Sequence, residues 1–113
     1  MREDIKINQN VAAISEALVE KLELIMDIDI GIDIYNLGLI YEIHLDDQGH
    51  CAFYMTFTSA SCSCIDLFPP EIEKTLTQLP EIKSVQVHQV WSPVWKMTRI
   101  SRFGRVALGI NPN

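Results

Sequence analysis

Apolar residues recur every three or four positions near the start of the chain, with mostly charged or small residues between them. The stripe consists of Val11, Ile14, Leu18, Leu22 and Ile25. This spacing places apolar side chains along one side of an α-helix. The pattern predicts an amphipathic helix, and Asn8 or Asn10 is suited to cap its start.

An acidic segment, residues 27–33, leads from this helix to the next predicted element. It alternates apolar and acidic residues as a strand would, but Gly31 and the later Gly38 interrupt the pattern. Glycine is typical of turns and loops. We therefore expect a bent loop here.

The best hairpin signal in the chain follows this loop. Apolar and polar residues alternate from Leu39 to Asp46, a turn occupies residues 46–49, and the alternation resumes from Cys51 to Thr58. A period of two sends successive side chains to opposite faces of a strand. Cys51 shares its face with large apolar residues, so we expect its thiol to lie in the core.

A second helix and a third strand are expected after residue 69. Ile72, Leu76 and Leu79 recur at helical spacing. Because proline suits the first turn of a helix better than its interior, this helix is expected to begin near Pro70 and to end at Pro80. Apolar and polar residues then alternate from Ile82 to Val90, which predicts a strand.

The last predicted helix follows a proline-broken aromatic loop, Trp91 to Trp95. One helical arc contains Ile100, Phe103, Val106, Ala107 and Ile110. Gly104 weakens this helix, and Gly109 is placed to end it. The order α-β-β-α-β-α predicts one α+β domain over residues 1–113, a two-layer sandwich whose small three-stranded mixed sheet carries helices on one face.

Length and composition agree with a single domain. The chain has 113 residues, 48% of them hydrophobic and 21% charged, so it can bury one modest core. No apolar stretch approaches the roughly 20 residues of a membrane span. The start of the chain lacks the continuous apolar region of a signal peptide. We expect a cytoplasmic protein that does not enter the membrane.

Charge is distributed unevenly along the chain. Residues 1–81 hold all 15 acidic residues and four basic ones, a net charge of −11, whereas residues 82–113 hold five basic residues and no acidic one. The total of −6 argues against nucleic-acid binding, which depends on neutralising phosphates. The basic end is expected to dock on the acidic body of its own chain, which requires no second protein, rather than on an acidic partner.

Two of the three cysteines, Cys62 and Cys64, lie one residue apart between a predicted strand and a predicted helix. A bridge between them would strain a very short ring, so reduced thiols are expected. Two nearby thiolates form half of a soft-metal or iron–sulfur site, which commonly needs four ligands. The other ligands would come from a second subunit in a homodimer, a small thiol or a client protein, so the site would hand metal over rather than store it.

Other interpretations of this pair remain open. Free cysteine is often buried, and spacing alone leaves the pair evenly balanced between core packing and a metal site. A nucleophilic cysteine is disfavoured because the nearest charged residues, Asp66 and Glu71, are acidic. A further alternative is a pure interaction module, in which the surface from Trp91 to Arg105 recruits a partner.

Two other groups of residues have weaker chemical signals. Asp27, Asp29 and Asp33 lack the ligand spacing of an EF-hand loop, so solvated loop carboxylates are expected. Trp91 and Trp95 are of the kind that lines recognition surfaces. Packing of this part of the chain over the edge of the sheet is the favoured interpretation.

Short blocks along the chain carry a resemblance when they are taken in order. The blocks are Asp27-Ile28-Asp29, Gly31 to Tyr41, Met55 to Ser59 with Cys62, Leu79-Pro80, Val85 to Trp91, Pro93 with Trp95, and Ala107 to Gly109. In this order they resemble the PaaD-like and SufT-like family of metal–sulfur cluster biosynthesis proteins, over nearly the whole chain. Two departures stand out: Ala60-Ser61 replaces the usual Pro-Gly before the cysteine, and Cys64 is an addition.

The resemblance implies an α+β accessory domain without enzymatic activity, which assists iron–sulfur cluster assembly or delivery to client proteins. Cys62 would be its functional thiol and Cys64 a second metal ligand, handling iron or a transient iron–sulfur cluster without binding it tightly. The implied partners are assembly proteins or client proteins. The surface expected to bind these partners consists of Asp27, Asp29, Thr58, Ser59, Trp91, Trp95, Arg99 and Arg102.

Overall fold

The computed structural model describes residues 1–27, 30–58 and 64–109, with the backbone alone at Cys64. The strands are β1 (Lys6–Ile7), β2 (Met26–Asp27), β3 (Ile32–Asp33), β4 (Ile40–Leu45), β5 (His50–Met55) and β6 (Ser84–Gln89). The helices are α1 (Gln9–Ala13), α2 (Ser15–Leu22), α3 (Ile34–Leu37), α4 (Cys64–Leu76) and α5 (Arg102–Ala107), and a 3-10 turn spans Met97–Arg99. None of the helices within these described ranges has the length and apolar character needed to cross a membrane.

The main sheet is mixed and has four strands in the order β1-β4-β5-β6. Strands β4 and β5 form the predicted antiparallel hairpin, whereas β1 pairs with β4 and β6 pairs with β5 in parallel. The α+β class and the mixed sheet are therefore confirmed. The count of three strands is wrong, because β1 adds an edge strand of only two residues, too short for alternation to reveal.

One face of the main sheet is apolar and carries the core. Ile43 lies opposite Phe53, which lies opposite Val87, and Leu45 lies opposite Cys51. Phe53 and Ile43 are completely buried. Buried apolar residues of α1, α2 and α4, among them Leu18, belong to the same core cluster. Cys51 is only 3% exposed, so its predicted place in the core is confirmed.

The acidic segment contains regular structure that the expected bent loop did not include. Strands β2 and β3 form a separate antiparallel pair, in which Met26 lies opposite Asp33. Gly31 has a φ of 82° in the turn between them, and Gly38 has a φ of 75° at the end of α3. Only glycine adopts these angles without strain. The two glycines thus mark turns, as expected, but the residues between them form a strand and a short helix.

The first helix is divided at Ile14 into α1 and α2. Of the two predicted caps, Asn8 is the one that caps α1, since its side chain accepts a hydrogen bond from Val11 N at 3.3 Å. Asn10 instead donates to Leu45 O at 2.9 Å, which ties α1 to strand β4. Both asparagines therefore act at the start of the helix, but only one acts as a cap.

Helix α4 begins at Cys64 and not near Pro70, so both Pro69 and Pro70 lie inside it. Proline in a helix removes a backbone hydrogen bond. The added turns bring Phe68 into line with Ile72 and Leu76, all three of which are at most 3% exposed. Burial of the Phe68 ring outweighs the lost hydrogen bonds, because tertiary packing of an apolar face is the main source of helix stability in proteins.

The side of helix α5 that packs against the rest of the protein is not the predicted one. Phe103 and Val106 are 66% and 61% exposed. Gly104 is buried instead, and a side chain there would meet Ile100 at 2.7 Å. The missing side chain lets α5 approach α3 closely, so the glycine that weakens the helix locally also permits its packing. Ile110 of the predicted arc lies outside the described residues.

Candidate functional site

Several predicted site residues fall outside the described part of the chain. These are Cys62, Ser59 and Asp29, and at Cys64 only the backbone is described, as the first residue of α4. The structure does describe the two ends between which the cysteine segment 59–63 is held. The residues that precede and follow this segment therefore define the surroundings of the candidate site.

An aromatic cluster joins residues that precede and follow the cysteine segment. The ring of Phe57, two residues before the segment, is stacked on the ring of Phe68 in α4, with centroids 6.1 Å apart and planes 14° apart. Trp91 follows the end of strand β6, and the centre of its ring lies 6.0 Å from that of Phe57. Phe57 and Phe68 are 2% and 3% exposed, so the cluster is anchored in the core. We call Phe57, Phe68 and Trp91 the aromatic stem.

Backbone hydrogen bonds hold the chain just before the segment. Thr56 N donates to Leu39 O at 2.8 Å on one side, and Val90 N donates to Met55 O at 2.8 Å on the other. Thr56 is buried and Thr58, the predicted surface residue, is half-buried. The strand that leads into the cysteine segment is thus fixed by both of its neighbours up to Thr56.

The two described aspartates of the acidic segment are not solvated carboxylates. Asp27 is 3% exposed and Asp33 is 5% exposed. Asp27 Oδ1 accepts from Ile30 N at 3.1 Å, which closes the turn between β2 and β3. The expectation of solvated loop carboxylates is wrong for these two, because buried carboxylates here satisfy backbone N–H groups at a turn and at a helix start.

Asp33, Asn36 and Ser101 form a buried polar chain between distant parts of the sequence. Asp33 Oδ2 accepts from Asn36 N at 2.9 Å and so caps α3. The Asn36 side chain donates to Asp33 Oδ1 at 2.9 Å and accepts from the Ser101 hydroxyl at 2.6 Å. Ser101 Oγ in turn accepts from Gly104 N at 3.1 Å and caps α5. This chain joins the acidic segment to the basic end of the protein.

Arg99 reinforces the same junction. Its Nε donates to Gly38 O at 2.7 Å, and its guanidinium lies 4.4 Å from the centre of the Tyr41 ring. A terminal nitrogen of Arg99 is 3.6 Å from Asp4 Oδ2. Arg2 donates to Arg99 O at 2.6 Å. Arg99 thus docks the basic end on the body of its own chain, in the manner that was favoured over an acidic partner.

The remaining predicted surface residues differ in their surroundings. Trp95 is half-buried, packs against the core, and donates from Nε1 to Leu37 O at 2.8 Å. Trp91 is 43% exposed, although it belongs to the aromatic stem and its ring lies beside that of Phe57. Arg102 is exposed. Of these, Trp91 and Arg102 are available to a partner, while Trp95 and Arg99 mainly hold the fold.

The thiol of Cys51 is unreactive because it stays protonated. Burial raises its pKa from 9.0 to about 11, because the apolar core disfavours the thiolate. Across residues 1–27, 30–58 and 64–109, no three histidine, cysteine, aspartate or glutamate side chains gather to hold a metal ion.

Two of the three histidines, His50 and His88, contact residues on the neighbouring strand of the sheet. His50 Nδ1 lies 2.7 Å from Ser84 Oγ, and the ring of His88 stacks on that of Tyr54 with centroids 4.7 Å apart. Both pairs join β5 to β6 across the face opposite the core. They strengthen strand pairing.

Sequence reasoning missed Asn36, Ser101 and Gly38 as organisers of the site's surroundings. Ser101 precedes the last helix as a cap would, and Asp33 and Asn36 stand three residues apart around a helix start, which are recognisable local signals. The contact between Asn36 and Ser101 has no local signal, because these two hydrogen-bonded residues are 65 positions apart.

Comparisons with known proteins agree with this architecture. Residues 12–88 match the family described as iron–sulfur cluster assembly protein. The Fe-S protein maturation auxiliary factor YitW of Bacillus subtilis (strain 168) is 40% identical over 98 residues, which covers 87% of this chain and 96% of that protein. The Fe-S protein maturation auxiliary factor SufT of Staphylococcus aureus (strain USA300) is 39% identical over 88 residues, 78% of this chain and 100% of that protein.

Similarity in structure extends over the same region. The crystal structure of a domain of unknown function, DUF59, from Bacillus anthracis has a TM-score of 0.80 and 36% identity, and the match covers 88% of this chain and 95% of that one. The family match contains the acidic segment, the hairpin, the cysteine segment and helix α4. The chain belongs to the iron–sulfur cluster assembly protein family.

Proposed function

We propose that this chain is an accessory protein without enzymatic activity that assists iron–sulfur cluster assembly or delivery, and that it contacts iron, a cluster or a client protein through Cys62. The observation that carries the proposal is the aromatic stem. Phe57 and Phe68 are stacked in the core and flank the segment 59–63. Phe57 and Phe68 enclose residues 58–67, so the chain on both sides of the cysteines is anchored in the core, and a transfer site requires such rigid supports.

The distribution of thiols supports the assignment to Cys62 and Cys64. Cys51 is buried and its raised pKa keeps it protonated at neutral pH, whereas metal ligands and reactive thiols are thiolates. The backbone of Cys64 begins the 13-residue helix α4. The N–H groups of a first helical turn have no partners within the helix and favour nearby negative charge. Thiolates in this part of the chain are therefore favoured over a thiolate at Cys51.

The number of thiols favours transfer over storage. Iron–sulfur clusters are usually held by four cysteine ligands, and the cysteine segment with its following residue supplies two. The remaining ligands would come from a client, a scaffold or a small thiol, so the bound state would be transient. The relatives from B. subtilis and S. aureus are named maturation auxiliary factors, which supports an accessory role over a catalytic one.

Anaerobic reconstitution with ferrous iron and sulfide tests the metal-binding part of this proposal. We expect thiolate-to-iron absorption in the wild-type protein, its loss in Cys62→Ser, and its retention in Cys51→Ala, which removes only the buried thiol. Cys64→Ser reports whether the second thiol contributes. Equal absorption in wild type and Cys62→Ser, or none in either, would overturn direct binding of iron or a cluster at Cys62.

A second candidate function is an interaction module in which the cysteines have no role. It is favoured by the concentration of exposed apolar side chains late in the chain. Five large ones lie between residues 91 and 106, namely Trp91, Val94, Met97, Phe103 and Val106. Residues 82–113 carry five basic residues and no acidic one. An apolar surface within a basic segment suits an acidic, amphipathic partner.

The two candidates respond differently to matched variants. Phe103 and Val106 are three positions apart on α5, so they share one exposed face. For an interaction module we expect Phe103→Ser with Val106→Ser to abolish stimulation of cluster delivery, and Cys62→Ser to have no effect. The reverse result supports the thiol mechanism. Thr98→Ala, an exposed position in the same segment, serves as the control.

A further inference from the structure

Strand β6 forms an open edge of the main sheet. The strand order is β1-β4-β5-β6, so among the described elements β6 pairs only with β5. The opposite edge, β1, has two residues and carries Lys6 on the strand. Short length and lysine are common protections of sheet edges. β6 has six residues, Ser84 to Gln89, with no charged residue and no proline.

The free backbone groups of β6 can be assigned from its bonds to β5. Val90 N donates to Met55 O at 2.8 Å, and Ser84 N donates to Gly49 O at 3.3 Å. Successive residues of a strand point their backbone groups to opposite sides. The N–H and C=O groups of the even-numbered residues therefore face β5, and those of Val85, Val87 and Gln89 face outward. No side chain in the described ranges is hydrogen-bonded to these outward groups.

We propose that two copies of this chain pair through β6 in antiparallel orientation, with Val87 on the two-fold axis. This register places Val87 opposite Val87 of the second copy and Val85 opposite Gln89 of the second copy. All three outward-facing residues then find partners, whereas a centre at residue 86 would leave Gln89 opposite a residue before the strand. Each such pair exchanges two hydrogen bonds, so the three pairs supply about six.

A second copy suits this edge better than a charged peptide. Within the pairing register the strand meets only its own neutral sequence, so no like charges lie across from each other. Gln86 faces His88 of the second copy on the outer face, where their polar side chains can hydrogen-bond. The nearest charged residue, Lys83, precedes the strand and is turned toward the β4–β5 turn, where its N–H donates to Gly49 O at 2.8 Å.

The pairing is expected to be weak and reversible. Two six-residue strands bury less surface than the roughly 1,200 to 2,000 Å² of a stable interface. Each copy also carries a net charge of −6, which opposes association at low salt. We expect a dimer dissociation constant in the micromolar range, and tighter association as ionic strength rises.

Sedimentation velocity over a series of protein concentrations tests the interface. Gln89→Pro removes an outward N–H without breaking a bond to β5, since Gln89 N–H faces away from that strand. We expect it to weaken dimerisation by at least about tenfold. Gln89→Ala removes the same exposed side chain but keeps the N–H, and is expected to dimerise like wild type. Circular dichroism and thermal unfolding confirm that both variants are folded.

Crosslinking tests the register independently of stability. In a background of Cys62→Ser and Cys64→Ser, Val87→Cys places two thiols across the axis, where opposed Cα atoms about 5.5 Å apart allow a disulfide. The two Gln89→Cys thiols would have Cα atoms about 14 Å apart and could not form one. We expect an intermolecular disulfide in the first variant and none in the second.

Three results would overturn the proposal. They are a wild-type protein that stays monomeric up to the high micromolar range, a Gln89→Pro variant that dimerises like Gln89→Ala, and crosslinking that is as efficient at residue 89 as at residue 87. None of these measurements depends on iron, sulfide or Cys62. The dimer and the proposed function therefore stand or fall separately.

Discussion

The hydroxyl of Ser101 donates a 2.6 Å hydrogen bond to the side-chain oxygen of Asn36. Each of these residues also touches a helix end: Ser101 caps α5, and Asn36 is bonded to Asp33, which caps α3. In addition, Ser101 N donates to Asn36 O at 2.7 Å. The contact therefore clamps the basic end of the chain onto the acidic segment, and Arg99 closes the clamp from the side of Gly38.

Removal of the Ser101 hydroxyl should weaken this clamp. Ser101→Ala loses both a helix cap and a partner of Asn36, so we expect the free energy of unfolding to fall by about 1 to 2 kcal/mol. Urea unfolding followed by circular dichroism measures the change. Thr98→Ala, at an exposed position nearby, should stay within about 0.5 kcal/mol of wild type. Equal stability of the two variants would show that the clamp contributes nothing.

Gly38 and Gly31 provide a matched pair of substitutions. Both have positive φ, 75° and 82°, but a Cβ at Gly38 would lie 2.4 Å from Arg99 O, whereas one at Gly31 would meet no atom of the described residues within 4 Å. We expect Gly31→Ala to cost about 1 kcal/mol, from backbone strain alone. Gly38→Ala should cost at least about 2 kcal/mol more, because the backbone of residue 99 must move.

Urea unfolding of both glycine variants measures this difference. A Gly38→Ala variant as stable as Gly31→Ala would mean that the basic end is not packed on α3 as described. Gly109→Ala is a second control, since Gly109 also has a φ of 75° and a Cβ there would meet no atom of residues 1–27, 30–58 and 64–109 within 4 Å. It should behave like Gly31→Ala.

The buried thiol of Cys51 should make stability depend on pH in the alkaline range. Its folded pKa is raised to about 11 from 9.0, so between these values the unfolded chain releases a proton that the folded chain keeps. Stability from this group is complete below pH 9 and declines as pH rises toward 11. The size of the decline is of the order of 2 kcal/mol.

The difference in unfolding free energy between two variants separates this effect from other groups that titrate at alkaline pH. In a background of Cys62→Ser and Cys64→Ser, unfolding free energies are compared with and without the further Cys51→Ala change. The advantage of the protein that retains Cys51 should shrink as pH rises from 9 to 11. An advantage that stays constant across this range would place the thiol in contact with solvent.

The aromatic stem should control the rigidity of the chain before the cysteine segment. Phe68→Leu removes the stacked ring while it keeps an apolar side chain, so we expect a loss of about 1 to 2 kcal/mol. Amide hydrogen exchange at residues 56–58 should accelerate, because Phe57 loses the ring against which it packs. Leu67→Ala, at the adjacent position that is 55% exposed, should leave this exchange unchanged.

The parts of the fold that the sequence predicts best are those with a long, regular pattern. Strands β4 and β5 alternate over six residues each, and the turn between them holds Gly49 with a φ of 92°. Period and turn chemistry agree there, so both strands are correct and their faces are correct from Glu42 onward. At the start of β4 a register shift between Ile40 and Glu42 changes the predicted faces, and Ile40 is completely buried opposite Met55. β1 escapes prediction because two residues carry no period, and it is stabilised only by pairing with β4.

Errors occur where tertiary contacts override local preference. Pro69 and Pro70 disfavour the interior of a helix, yet α4 runs through them because Phe68 fills the core beside Phe57. The arc of Phe103 and Val106 suggests a buried face, yet Gly104 is the residue that α5 turns inward. No local sequence pattern indicates which side of a six-residue helix packs against the rest of the protein.

The candidate site is predictable from sequence only in part. Burial of Cys51 follows from its strand face, but periodicity and spacing left Cys62 balanced between core and site. The ordered family blocks favour a functional site at Cys62, and this assignment stays a prediction; the match over residues 12–88 shows the family alone. The supports of the site, in particular the stacking of Phe57 on Phe68, depend on contacts between elements and carry no signal in the sequence around the cysteines.

Cluster delivery measures the proposed function most directly. A scaffold protein loaded with an iron–sulfur cluster is mixed with the apo form of an aconitase, and recovery of activity is followed with and without this chain. We predict that wild type and Cys51→Ala accelerate recovery equally and that Cys62→Ser does not. Acceleration by Cys62→Ser equal to that of wild type would contradict the assignment of Cys62 as the functional thiol.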